Sequence, residues 1–148
     1  MRRALLLVVL GCWGSLVALG WREGSVPFAT IAQGTSSGIT TATRAVIRDQ
    51  GAWARLWSEH TARLMPVPPV PPVDFSREMV VGVFAGEQRT GGFEIEIIRI
   101  EQGSEGIAVQ YRERAPSPGD LVPQALTQPY HLVRLRRLEG TVAFQAVR

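Results

Sequence analysis

The chain has 148 residues, with 16 basic residues, all arginine, against 13 acidic ones and a formal charge of +3. Loss of Arg2 and Arg3 with residues 1–20 would leave 14 arginines against the same 13 acids. That near balance excludes the extended basic surface a nucleic-acid binder needs to displace counterions. A lone cysteine, Cys12, excludes an internal disulfide framework, so core packing must hold the fold.

At the amino terminus, Met1-Arg2-Arg3 precede an apolar run from Ala4 to Leu19, and Ala18-Leu19-Gly20 set small residues ahead of Trp21. This order reads as a signal peptide over residues 1–20, which implies an extracytoplasmic location, periplasmic or secreted. Gly11, Gly14 and Ser15 interrupt the run, which falls short of the roughly 20 apolar residues a spanning helix wants. A retained anchor is one alternative. Another is a lipid anchor at Cys12, because Val9-Leu10-Gly11-Cys12 resembles a lipobox, although Trp13, Leu16, Val17 and Leu19 follow where a polar tether would begin.

Residues 21–45 are expected to hold a frayed lead, Trp21 to Ser25, and a first strand from Val26 to Gln33, with Pro27 confined to its start or an edge. The Gly34–Gly38 cluster turns the chain, and the β-branched content of Ile39 to Arg48 predicts a second strand. Asp49 is placed to cap a helix. Behind it Trp53, Leu56, Trp57, His60 and Leu64 recur on one face at helical spacing. Pro66 to Pro72 can donate few backbone hydrogen bonds and favours an extended polyproline crossover; as a motif it could also serve as a proline-groove ligand.

Met79 to Phe84 is apolar at both parities, which predicts a central strand covered on both faces. With the Gly86–Gly92 turn and alternating Phe93, Ile95 and Ile97, it reads as a hairpin presenting a glycine-rich loop. The parity switch at Ile98 and Ile100 implies a β-bulge near Ile97. Ile107, Val109 and Tyr111 mark a half-buried strand. Pro116 to Asp120 is a rigid loop, followed by an irregular stretch to Thr127. Tyr130–Arg137 and Thr141–Val147 close the chain, read as a hairpin about Gly140. The fold class expected is α+β: a mostly antiparallel twisted sheet or small sandwich of about six strands with one amphipathic helix packed on it.

Asp74-Phe75-Ser76, Met79 through Gly86, Arg89-Thr90-Gly91-Gly92-Phe93, Pro116 with Pro118-Gly119, Gln124, and Pro129-Tyr130-His131 together resemble the PrcB C-terminal domain family. The resemblance runs over about residues 46 to 146 and assigns 46–148 to that domain. The family commonly carries tyrosine after the paired glycines, where this chain has Phe93. It implies an exported, non-catalytic accessory or stabilising subunit of a secreted bacterial protease complex. Arg89 to Phe93, with Pro118-Gly119 later, is also similar to the loop of chagasin-type protease inhibitors, which leaves an inhibitor as an alternative.

Candidate chemistry is sparse. His60 and His131 lack second ligands at metal spacing, so neither a metal nor a cofactor is expected. Ser36, Ser37, Ser76, Ser104 and Ser117 lie outside any nucleophile-elbow sequence. Glu94 and Glu96 are paired carboxylates on one strand face, as a solvated face also provides. The expected site is a protein-binding one on loops 86–92 and 115–120, formed by Arg89, Thr90, Gly91, Gly92, Phe93, Pro118, Gly119 and Tyr130. A secreted protease is the expected partner. A small-ligand or envelope-binding module is the competing reading, and it would need an apolar pocket.

Overall fold

The computed structural model describes residues 24–148; the leader at 1–20, Cys12 and the lead from Trp21 to Glu23 lie outside them. The elements in chain order are β1 (Gly24–Ser25), β2 (Phe28–Gly34), β3 (Thr43–Ile47), α1 (Gln50–His60), β4 (Glu78–Phe84), β5 (Glu94–Gly103), β6 (Gly106–Arg114), β7 (Tyr130–Arg136) and β8 (Val142–Val147). They form two four-stranded sheets, β2-β7-β4-β3 and β1-β5-β6-β8, with α1 on the outer face of the first. The α+β expectation holds in its sandwich form.

The doubly apolar run became the central strand it predicts. In β4, Met79, Val81 and Val83 enter the inter-sheet core with Ile95, Ile97, Ile100, Val109 and Val133. Its other face, Val80 and Phe84, meets Trp53, Trp57 and Leu132 beneath the helix. Gly82 faces that same layer. A Cβ there would lie 2.6 Å from Leu132 Cδ2, so glycine makes room for the cross-strand leucine.

Asp49 caps α1 as its sequence suggests, its Oδ1 accepting from Ala52 N–H at 2.8 Å. The helix stops at His60, one turn before Leu64. Thr61 folds back on Trp57 O with both its amide and its hydroxyl, and Gly38 N–H occupies His60 O. A Cβ at Gly38 would collide with the Glu59 carbonyl. The loop at 35–42 therefore caps the helix, which shortens the expected strand from Ile39–Arg48 to Thr43–Ile47.

Both predicted hairpins are corrected. β4 already has β3 and β7 as neighbours, so no edge remains for β5, which pairs instead with β1 and β6 in the other sheet. The segment from 85 to 93 is a crossover between sheets. The Gly140 turn likewise changes sheets, and β8 lies parallel to β6. Buried Leu138 and the Arg137 guanidinium, which donates to Arg48 O and Phe75 O, hold that turn across the gap. Gly24 and Ser25 pair with Gln102 and Glu101 of β5 and are not a free lead.

The bulge expected near Ile97 is present, as a register shift between Ile97 and Arg99 that leaves Ile98 facing solvent. It turns the Ile97 N–H inward, where it donates to His131 Nδ1 of the opposite sheet at 2.9 Å.

Candidate functional site

The sandwich has two unlike ends. Gly103–Gly106 and residues 137–141 close one end tightly, whereas the longer connections, 35–42, 85–93 and 115–129, meet at the other. There the crossover and the β6–β7 connection form a short antiparallel bridge, with Gln88 N–H donating to Thr127 O at 2.7 Å and Thr127 N–H to Gln88 O at 3.0 Å. Thr127 Oγ1 donates to Thr90 O at 2.7 Å, and Gly91 N–H to Pro123 O at 2.8 Å. Gln128, buried, donates through Nε2 to Glu87 Oε2 at 3.1 Å and accepts from Ser37 N–H, which ties in the third loop.

The paired glycines are required by what lies against them. A Cβ at Gly91 would meet the Pro123 ring at 2.7 Å. Gly92 has φ +86°, and a Cβ there would meet Val122 at 2.7 Å and Pro116 at 2.9 Å. Beyond this contact Ser117–Asp120 is a closed turn, with Asp120 N–H on Ser117 O and Ser117 N–H on Asp120 Oδ2. Pro118 and Gly119 (φ +93°) occupy its central positions, where a preset negative φ followed by a positive one makes a type II turn.

Between this turn and the Val122–Pro123 anchor, Leu121 projects fully into solvent. Leu126, 60 % exposed, follows on the same connection. Burying one such leucine against another apolar surface is worth about 1.5–3 kcal/mol.

Of the residues singled out from sequence, Arg89, Gly92, Pro118 and Gly119 are exposed on this end, Thr90 and Phe93 are half-buried in it, and Gly91 is buried as its hinge. Tyr130 follows the second loop, but its ring lies in the helix layer, 4.2 Å from His60 and 6.2 Å from Phe84. Leu121, Leu126 and Thr127 were not singled out from sequence. The available signal was two leucines in a loop with no strand or helix period to bury them.

One serine–histidine contact exists among the described residues, Ser37 Oγ to His60 Nδ1 at 2.9 Å. Ser37 Oγ also accepts from Ile39 N–H at 3.1 Å, which fixes the hydroxyl between the loop and the ring. Both side chains are 2 % exposed, which leaves a substrate no approach. Burial pulls the His60 pKa down to about 4, so this imidazole is neutral near pH 7. His131 is likewise lowered by burial, against the opposing pull of Glu96. Its Nδ1 accepts from Ile97, so Nε2 carries the proton and donates to Thr30 Oγ1 at 2.8 Å.

Glu94 and Glu96 do not face each other as an acid–base pair: each has a cross-strand arginine, Arg114 at 3.9 Å and Arg112 at 3.4 Å. A cavity of about 440 Å³ lies at the opposite end of the sandwich, lined in large part by Glu101, Ser104, Glu105, Thr141 and Gln145. Its polar lining is unlike the apolar pocket a lipid-binding module would need. Among the described residues no group of three or more His, Cys, Asp or Glu is placed to hold a metal, and no helix is long and apolar enough to cross a membrane.

Residues 79–136 match the family model described as PrcB C-terminal. The matched stretch opens in β4, includes both braced loops and ends with β7, so the resemblance carried by the glycine and proline motifs falls on the site itself. No curated protein and no solved structure matches the chain.

Proposed function

Taking residues 79–136 as a PrcB C-terminal region, we propose that this protein is an exported, non-catalytic binding module whose loop end docks on a protease and serves as an accessory or stabilising subunit of its complex. One observation carries the reading. The crossover and the β6–β7 connection are joined by backbone hydrogen bonds on both strands of the bridge, and the surface so fixed presents Leu121 and Leu126 to solvent.

A loop already held in its bound shape loses little entropy on docking, which is how a small apolar patch reaches useful affinity. Leu121 is the central anchor, with Leu126 and Pro118 beside it and Arg89 as a polar contact at the rim. The glycine pair serves the site indirectly, by letting Pro123, Val122 and Pro116 approach the crossover.

The test is affinity capture from the native extracytoplasmic extract with wild type, Leu121→Asp and Arg89→Ala proteins, followed by mass spectrometry and a protease assay on each eluate. Enrichment of one protease by wild type, its loss with Leu121→Asp and partial loss with Arg89→Ala are expected. Equal recovery by all three, or an eluate without protease, would overturn the assignment. Adding purified protein to the captured protease separates the roles: a subunit leaves or raises activity, whereas an inhibitor lowers it.

A further inference from the structure

Each sheet has two edges, and three of these four edges are blunted. β1 holds two residues, and the stretch of β5 beyond it carries Glu94, Glu96 and Arg99 around the bulge. β2 is interrupted by a register shift between Thr30 and Ala32, and β3 has five residues with the Arg44 guanidinium laid over its neighbour, donating to Phe84 O. β8 has none of these devices. Its six residues, Val142-Ala143-Phe144-Gln145-Ala146-Val147, contain no charge, proline or glycine and run along β6 without a shift in register. Sheets blunt their edges because an unpaired row of backbone groups is a template for another strand. A smooth edge left open is therefore a place where a strand is added.

The strand order gives β8 a neighbour on one side only. Ile107 N–H donates to Thr141 O at 2.9 Å, and Ala143 stands opposite Ala108. In a parallel pair alternate residues turn both backbone groups to the neighbouring strand, so Ala143, Gln145 and Val147 bond to β6. Val142, Phe144 and Ala146 direct their N–H and C=O groups away from the sheet. These three also share the core face, where Phe144 is half-buried at the margin of the inter-sheet layer and Ala146 is exposed.

We propose that β8 pairs antiparallel with the β8 of a second copy about a two-fold axis, joining two β1-β5-β6-β8 sheets into one continuous sheet. A single register pairs all three open residues of each strand: Phe144 lies opposite Phe144, and Val142 opposite Ala146. Each open N–H then finds an open carbonyl. The strand is self-complementary in this register. Phe144 meets its own copy on the core face and extends the apolar layer across the axis, Gln145 meets Ala143 on the outer face, and no charge within the strand faces its own kind. At each end Arg148 lies opposite Gly140, beside the exposed Glu139 of the other copy, which puts unlike charges together at both rims. The contact uses the same patch on both copies, so it closes at two.

Sedimentation velocity of the wild-type protein over a micromolar-to-millimolar series is expected to show a reversible monomer–dimer equilibrium. Ala146→Pro removes an outward N–H and leaves the β6 ladder intact, so it is expected to weaken the dimer about tenfold or more while the melting temperature stays within a few degrees of wild type. Amide exchange read by NMR needs no variant. The Ala143, Gln145 and Val147 amides are expected to be protected at every concentration, whereas those of Val142, Phe144 and Ala146 gain protection only as the dimer forms. Leu121→Asp is expected to leave self-association intact, which separates this edge from the loop end. A monomer at the highest concentration, a dimer indifferent to Ala146→Pro or lost with Leu121→Asp, or Phe144 and Ala146 amides that stay unprotected in the dimer would overturn the proposal.

Discussion

The two buried layers of this domain are made of different side chains. Between the sheets the core is aliphatic, valine, isoleucine, leucine and Met79, with Phe28, Tyr111 and Phe144 only at its margin. Beneath the helix aromatic rings join Ile39, Ile47, Val80 and Leu132, with Trp53 and Trp57 at 5.4 Å, Trp57 and His60 at 5.3 Å, and Phe84 and Tyr130 beside them. Two pleated surfaces can interdigitate through many small branched side chains, each contributing a little. A single 11-residue helix has few positions with which to cover four strands, so each must be large. Each layer also contains one neutral, hydrogen-bonded histidine, His131 accepting at Nδ1 from the Ile97 amide and His60 bonded through Nδ1 to Ser37 Oγ.

The comparison can be broken most strongly at Trp53, which is fully buried and donates through Nε1 to Pro71 O. Trp53→Ala is expected to cost about 3–5 kcal/mol in chemical denaturation, more than any single aliphatic truncation between the sheets. A smaller loss would mean the helix layer is dispensable.

Acid comes next. The folded state holds His60 near pKa 4 against 6.5 when unfolded, so between those values the unfolded chain binds the proton and the folded one refuses it. Stability is therefore complete above about pH 6.5 and falls as pH drops toward 4, by on the order of 3 kcal/mol at 1.36 kcal/mol per pH unit. His131, lowered in the same direction, adds to the fall in the same window. Denaturation midpoints across pH 4 to 7 should show it, and His60→Gln should flatten the slope.

His131→Phe keeps the volume of the ring but leaves the buried Ile97 N–H without its acceptor. A loss of about 1–3 kcal/mol is expected by denaturation, smaller than at Trp53 yet larger than aliphatic volume alone explains. Smallest of all is Arg112→Ala on the outer face of the second sheet. Its pair with Glu96 at 3.4 Å is partly solvated, so a change of about 0.2–1 kcal/mol is expected, fading with added salt.

How far the sequence spoke differed with the element. The period of Trp53, Trp57 and His60 located the helix face, and the double-parity run from Met79 to Phe84 located the central strand, because burial there writes itself into spacing. The bulge near Ile97 was legible for the same reason. Sheet membership was not: a glycine turn between two strands reads alike whether the chain folds back or crosses a gap, and only β3 and β7 flanking β4 decide it. In the loop end, the glycines and Pro118 were visible as turn chemistry. Leu121 and Thr127 were not, since what distinguishes them is exposure and a bridge to residues some 40 positions away.

The central claim is that the crossover and the β6–β7 connection form one prebuilt docking surface. Amide hydrogen exchange measured by NMR on the free protein addresses it directly, at Gln88, Gly91, Asp120 and Thr127. Protection at Gln88, Gly91 and Thr127 comparable to that of paired amides in the flanking strands, with a lesser slowing at Asp120, is expected. Exchange of all four at the rate of an unstructured peptide would contradict a surface assembled before its partner arrives.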